Sequence, residues 1–111
     1  MNLHFDCIFY YVSDLERSIH FYRDLLGLDL KFRDVVASFE VDGVLVELVP
    51  GHRVRGPGNG RLCLRVEDIE SMVAELHGKG VATSAVETKD GGFLASFHDP
   101  DGNEICLWQY A

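Results

Sequence analysis

Apolar residues along this chain recur in two rhythms, and the change from one to the other happens twice. From Leu3 to Val12 apolar and aromatic side chains dominate, which predicts a buried strand. Leu15, Ile19, Tyr22 and Leu26 then recur at i, i+4, i+7 and i+11, a single helical stripe. Ser13 and Glu16 have the spacing of a capping box at its start, and Gly27 supplies its stop. Leu28 to Asp34 and Val35 to Val41 read as strands, and Asp42-Gly43 as a two-residue hairpin turn into a strand from Val44 to Val49. The second half repeats the plan: strand Arg61 to Val66, helix Asp68 to Lys79, strand Val81 to Glu87. A turn at Lys89-Asp90-Gly91-Gly92 precedes the strand Phe93 to His98, and Asp99-Pro100-Asp101-Gly102-Asn103 returns the chain into Glu104 to Tyr110.

The halves also match in their letters. Val12-Ser13-Asp14-Leu15-Glu16 parallels Val66-Glu67-Asp68-Ile69-Glu70, and Ala37-Ser38-Phe39-Glu40 before Asp42-Gly43 parallels Ala95-Ser96-Phe97-His98 before Asp101-Gly102. An internal repeat of this kind fixes the architecture. At 111 residues the expectation is one domain of two βαβββ modules, about residues 1–50 and 61–111, joined by a linker at 51–60. One half alone would struggle to bury enough apolar surface, so the modules are expected to share a core, within one chain or across a dimer. Gly56-Pro57-Gly58-Asn59-Gly60 lacks the Lys-Ser or Lys-Thr ending of a phosphate-binding loop and reads as linker.

Alternation within strands divides their side chains between two faces. The helix of each module should cover the more uniformly apolar one. Ile8, Tyr10 and Val12 fit that side, as do Leu62, Leu64 and Val66 in the second module. So do Val44, Val46 and Leu48, and Ile105 and Leu107. The other, open face then receives Cys7, Phe9, Tyr11, Leu45, Glu47 and Val49 in the first module, with Ser38 and Glu40 beside them. In the second it receives Arg61, Cys63, Arg65, Glu104, Cys106, Trp108 and Tyr110, with Ser96 and His98 in the matching place. Aromatics, arginines, carboxylates and thiols on one face suit a pocket lining better than a plain core. The alternative is that its polar members reach solvent at a rim.

Composition narrows the partners. A formal net charge of −8 argues against nucleic acid, which needs clustered Lys and Arg, and tolerates a cationic ligand. No apolar run has the length of a membrane span, and Met1-Asn2-Leu3-His4 lacks the features of a signal peptide. Three cysteines without framework spacing suit a reducing, cytoplasmic setting.

The run Val12-Ser13-Asp14-Leu15-Glu16-Arg17-Ser18 with Phe21-Tyr22-Arg23-Asp24-Leu25-Leu26-Gly27-Leu28, together with Asp99-Pro100-Asp101-Gly102-Asn103, resembles the vicinal oxygen chelate superfamily. That group includes glyoxalase I, extradiol dioxygenases, epimerases, and fosfomycin- and bleomycin-resistance proteins. The resemblance implies an α+β fold in which two βαβββ modules form a curved mixed sheet around a cavity, commonly with a second subunit. Metal-using members draw ligands from the first and last strand of each module. Carried over by position, those places fall on Cys7, Glu47, Arg61 and Cys106, and only Glu47 matches. A guanidinium at Arg61 has no lone pair to donate and stays charged. An Arg61–Glu47 ion pair could stand where relatives hold a metal, so neither metal nor other cofactor is expected.

Other chemistry stays open. Cys7, Cys63 and Cys106 all fall on the open face, where thiolates would suit a soft cation, although small buried hydrophobes is the plainer reading. His98 is the histidine on that face, and with Glu47 it forms the pair of acid–base candidates; the alternative is a rim histidine. Phe9 and Trp108 are packing residues or a stacking platform. The favoured function is a metal-independent binder of a small organic molecule, resembling bleomycin-resistance proteins. Its expected ligand-binding residues are Cys7, Phe9, Tyr11, Ser38, Glu47, Arg61, Cys63, Arg65, His98, Cys106 and Trp108. The alternatives are a lyase, isomerase or dioxygenase with a rearranged site, and a module whose open face pairs subunits. A homodimer is expected, and neither nucleic acid nor membrane as partner.

Overall fold

A computed structural model describes residues 6–51 and 61–111. The start of the first expected strand, with His4, and nearly all of the expected linker, with His52, Arg53 and Arg55, lie outside those residues. The chain divides into two compact units, Met1–Arg55 and Gly56–Ala111. Each carries one four-stranded mixed sheet, in the order β1-β4-β3-β2 in the first unit and β5-β8-β7-β6 in the second. The strands are β1 (Cys7–Val12), β2 (Asp29–Arg33), β3 (Ala37–Val41), β4 (Val44–Pro50), β5 (Leu62–Arg65), β6 (Glu87–Lys89), β7 (Gly92–His98) and β8 (Glu104–Tyr110). This is the expected α+β plan, βαβββ twice.

The repeat extends to the hydrogen-bond register. Phe9 pairs with Glu47 and Glu47 with Ser38 in the first sheet; Cys63 pairs with Cys106 and Cys106 with Ser96 in the second. Each first strand runs parallel to the last strand of its module, and the remaining neighbours are antiparallel. Parallel neighbours cannot be joined by a tight turn, so each module needs its helix as the crossover. The β3–β4 hairpin closes on Val41 and Val44 through Asp42 (φ 51°) and Gly43 (φ 81°). Two successive positive φ values make the turn whose twist matches its strands.

Both helices start on an aspartate. Asp14 caps α1 (Leu15–Ile19), accepting from the Arg17 N–H at 3.1 Å, and Asp68 caps α2 (Ile69–Gly78), accepting from the Ser71 N–H at 3.1 Å. This corrects the expected capping box: Ser13 instead accepts from the Arg17 guanidinium at 2.9 Å, and Glu16 pairs with Arg33. A charged acceptor at the position before the helix competes better for orphan N–H groups than a hydroxyl one residue further out. After Ile19 the first helix loosens into a π-helical stretch, His20–Leu25, with an i→i+5 bond from the Leu26 N–H to the Phe21 carbonyl at 2.9 Å. The wider turn brings Phe21 as well as Tyr22 into the interior, their rings edge to face at 5.3 Å.

The expected strand from Val81 to Glu87 is reduced to Glu87–Lys89. Upstream, Ser84 replaces a regular ladder. Its N–H donates to the Ser96 carbonyl at 2.8 Å, but the Ser96 N–H donates to the Ser84 hydroxyl at 2.9 Å, where a strand would offer a carbonyl.

Each sheet buries its expected face. Val12, Ala37, Phe39, Val46 and Leu48 are buried in the first unit with Ile19 and Tyr22; Tyr22 and Phe39 meet at 5.9 Å. Leu62, Ala95, Phe97, Ile105 and Leu107 are buried in the second with Ile69, Val73 and Leu76. Each of the larger apolar side chains among them contributes on the order of 2 kcal/mol. Ile8 departs from the pattern and is exposed, unlike Leu62 at the matching position of β5. Among the described residues no helix is long and apolar enough to cross a membrane.

Candidate functional site

The face of each sheet turned away from its helix follows from alternation and register, and on it Ser38 and Cys106 are buried. In the first unit one row crosses all four strands, Phe9–Glu47–Ser38–Phe32, with Cys7 and Tyr11 to either side along β1. Phe9 and Phe32 are 49% and 54% exposed, an unusual outlay of aromatic surface for a folded sheet. Phe9 and Tyr11 hold each other edge to face at 5.5 Å. Phe32 was not among the expected residues. A bulge between Leu30 and Phe32 shifts the strand by one, and bulges re-aim side chains without a strong sequence signal.

At the edge of that face the ligand atoms of Asp6, Cys7 and Glu47 lie within 4.8 Å of one another. Partial burial, a hydrogen bond to Glu47 and the carboxylates of Glu47 and Asp6 push the Cys7 thiol up to about 11. At neutral pH it is therefore a neutral donor to a carboxylate. Asp6 falls within the expected strand Leu3 to Val12, where alternation would set it on the helix side with Ile8; the strand begins only at Cys7, which releases Asp6 from that alternation.

In the second unit two rows matter. One is Cys63–Cys106–Ser96, the other Arg65–Trp108–Leu94–Glu87. Gly92 explains how the indole lies on the sheet. A Cβ there would meet the Trp108 ring at 2.6 Å and the Gln109 carbonyl at 2.3 Å, so only a glycine admits the ring. Tyr110 stands edge to face with Trp108 at 5.8 Å and is 67% exposed. Behind the sheet, the Gln109 side chain accepts from the Ile69 N–H at 2.7 Å, tying the start of α2 to β8.

Arg61, at the position matching Cys7, pairs through Nε with Glu104 at 2.8 Å. Within the second module Arg61 thus finds its carboxylate on the adjoining strand. His98 lies opposite Glu104 in the register and is exposed, so Arg61, Glu104 and His98 share one end of the open face. Burial, aided by Glu104 and Cys63 and opposed by Arg61, raises the Cys106 thiol. Of the other histidines, His20 bonds Asp24 at 2.8 Å and His77 bonds Thr83 at 2.9 Å, both off the sheets. An open depression of about 350 Å³ beside His77, Gly80 and Thr83 also lies away from these faces.

The Asp99–Asn103 turn is structural. The buried Asp99 carboxylate accepts from the Asp101 N–H at 2.9 Å, the Asn103 N–H at 2.8 Å and the Asn103 amide at 2.8 Å. It sets the start of β8, hence the register that carries Glu104, Cys106 and Trp108.

The metal set that the resemblance implies fits the chain only in part. Cys7 and Glu47, with Asp6, offer three donor atoms in the first unit; in the second, Arg61 offers none and Cys106 is buried.

Several proteins resemble this chain. It is 31% identical, at a TM-score of 0.84, to TnmS3, an antibiotic binding protein from Streptomyces sp. CB03234, covering 99% of this chain and 98% of that one. It is 31% identical over 116 residues to a probable lactoylglutathione lyase of Synechocystis, covering 88% of each. It is 29% identical to a lactoylglutathione lyase of Arabidopsis thaliana, but spans 44% of that protein's length. The repeated βαβββ plan agrees with the sequence model that matches residues 4–107, and the chain belongs to the Glyoxalase/Bleomycin resistance protein/Dioxygenase superfamily.

Proposed function

We propose that this protein binds and sequesters a small organic molecule on the open faces of its sheets, without a resident metal. Arg61 carries the reading. Where metal-using relatives place a ligand, it puts a permanent cation already bound to Glu104 at 2.8 Å. A divalent ion brought there would meet like charge and find no lone pair. The exposed aromatic rings of Phe9, Tyr11, Phe32 and Tyr110, with the half-buried Trp108 beside Tyr110, suit stacking with a flat or apolar ligand, and the carboxylates and arginines around them suit polar groups on its periphery. Similarity to an antibiotic binding protein over nearly the whole of both chains supports the same direction. A cytoplasmic homodimer, with modules joined at residues 51–60, completes the proposal.

A second reading, a metal-dependent lyase, is favoured by one observation: Asp6, Cys7 and Glu47 converge within 4.8 Å. The relatives named as lactoylglutathione lyases support it. Elemental analysis of the purified protein, a thermal-shift panel of antibiotics and aromatic compounds, and an assay for lactoylglutathione formation separate the two. Sequestration predicts a saturable rise in Tm for at least one compound, no stoichiometric transition metal and no turnover. A stoichiometric metal with turnover would replace it by the lyase.

A further inference from the structure

Two of the three thiols face each other across a strand pair. Cys63 on β5 and Cys106 on β8 are register partners in a parallel ladder, so their side chains leave the same face of the sheet. Paired strands run about 4.8 Å apart, inside the Cα separation of about 4.4–6.8 Å that a disulfide spans. We propose that Cys63 and Cys106 are an oxidation site that a hydroperoxide converts to a reversible cross-strand disulfide.

The two cysteines differ in a way that assigns their roles. Cys63 is exposed and can meet the oxidant; Cys106 is buried, with Cys63 as its register partner on the neighbouring strand. The Cys63 thiolate attacks the outer oxygen of the hydroperoxide, the O–O bond breaks, and an alcohol (water, from hydrogen peroxide) leaves with one proton. Cys63 is then a sulfenic acid. Cys106 sulfur attacks that sulfur, the S–O bond breaks, and water leaves with the Cys106 proton. Two thiols and one hydroperoxide yield one disulfide, one alcohol and one water, so the peroxide takes up both electrons. Arg65, two residues along the same face of β5, adds positive charge beside the reacting sulfur. The first module has no counterpart, since its matching register pair is Phe9 and Glu47. The bond would staple the edge strand β5 to β8, in the row next to Trp108.

The test is independent of any bound ligand. Wild-type protein is treated with hydrogen peroxide, its thiols are counted, and it is digested without reductant for mass spectrometry. Three thiols should fall to one, with a Cys63 peptide joined to a Cys106 peptide at a mass two hydrogens below the sum. Dithiothreitol should restore all three. Trp108, the single tryptophan, should lose fluorescence on oxidation and regain it on reduction. C7S should form the same link, and C63S should keep both remaining thiols and its fluorescence. Cys63 oxidised to sulfinic acid beside an unreacted Cys106, a disulfide containing Cys7, or a covalent dimer would each overturn the proposal.

Discussion

At Cys7 a thiol and a carboxylate share one proton's worth of chemistry. Its pKa is raised from 9.0 to about 11, first by burial and then by Glu47 and Asp6. An unfolded chain ionises this thiol near its ordinary value, whereas the folded chain keeps it protonated. The contribution to stability is thus complete below pH 9, and it disappears as pH rises through about 11. Urea unfolding between those limits should show stability falling, and falling less in E47Q. At mildly alkaline pH iodoacetamide should label the exposed Cys63 well before Cys7, a difference that peptide mapping reads directly. Gly92 is the other decisive residue. G92A sets a methyl against a backbone carbonyl and the indole, which should cost about 1–3 kcal/mol and shift the emission of Trp108 towards that of an exposed indole. An unchanged spectrum and Tm would show that the ring is not seated against Gly92. Sequence alone named Cys7, Glu47 and Trp108 as open-face residues. It missed Asp6 and Phe32: within the expected strand Leu3 to Val12 alternation sets Asp6 on the helix side with Ile8 and Tyr10, whereas the strand begins only at Cys7, and Phe32 follows a bulge that alternation does not foresee.

Among the elements, the turns and caps decide register. Asp99 satisfies three donors with one buried carboxylate, so D99A should lower stability by about 3 kcal/mol and displace the start of β8. D68A removes an N-cap from α2 and should cost about 1 kcal/mol; denaturant midpoints compare the two. Asp24 behaves differently. Arg23 and His20 hydrogen bonds hold its carboxyl down at about 2, so its contribution is present above the ordinary 3.8 and is lost as pH falls through 2. Helix and strand order was readable because apolar periodicity differs between 3.6 and 2. The π-helical stretch was not, since Leu15, Ile19, Tyr22 and Leu26 already make an ordinary stripe, and nothing in it requires Phe21 to be buried as well. Nor was the irregular passage before β6. Val81 to Val86 has the composition of a strand, and only the Ser84 hydroxyl diverts the ladder.

For the whole molecule, charge and metal content make the sharpest tests. With a net charge of −8, a cationic ligand should associate several-fold more slowly as salt rises from low to physiological concentration, while a neutral ligand should not. Stopped-flow mixing at two ionic strengths distinguishes them. Chelator treatment should leave Tm within error if no metal is resident, and a large drop would favour the lyase reading. The repeat made the two-module plan legible from the letters alone. The Arg61–Glu104 pair was not, because the two residues are far apart in the letters and meet only once β5 and β8 lie side by side.

The matched registers mean that Phe9, Glu47 and Ser38 in one sheet have their addresses at Cys63, Cys106 and Ser96 in the other. Side chains at those addresses stand clear of the ladder bonds, which belong to the main chain. The surface can therefore be rewritten letter by letter on an unchanged lattice: Arg61→His with Cys106→Glu would give the second sheet a lone pair and a carboxylate where it now has a guanidinium and a buried thiol, and an exchange of that kind is open to selection as well as to the experimenter.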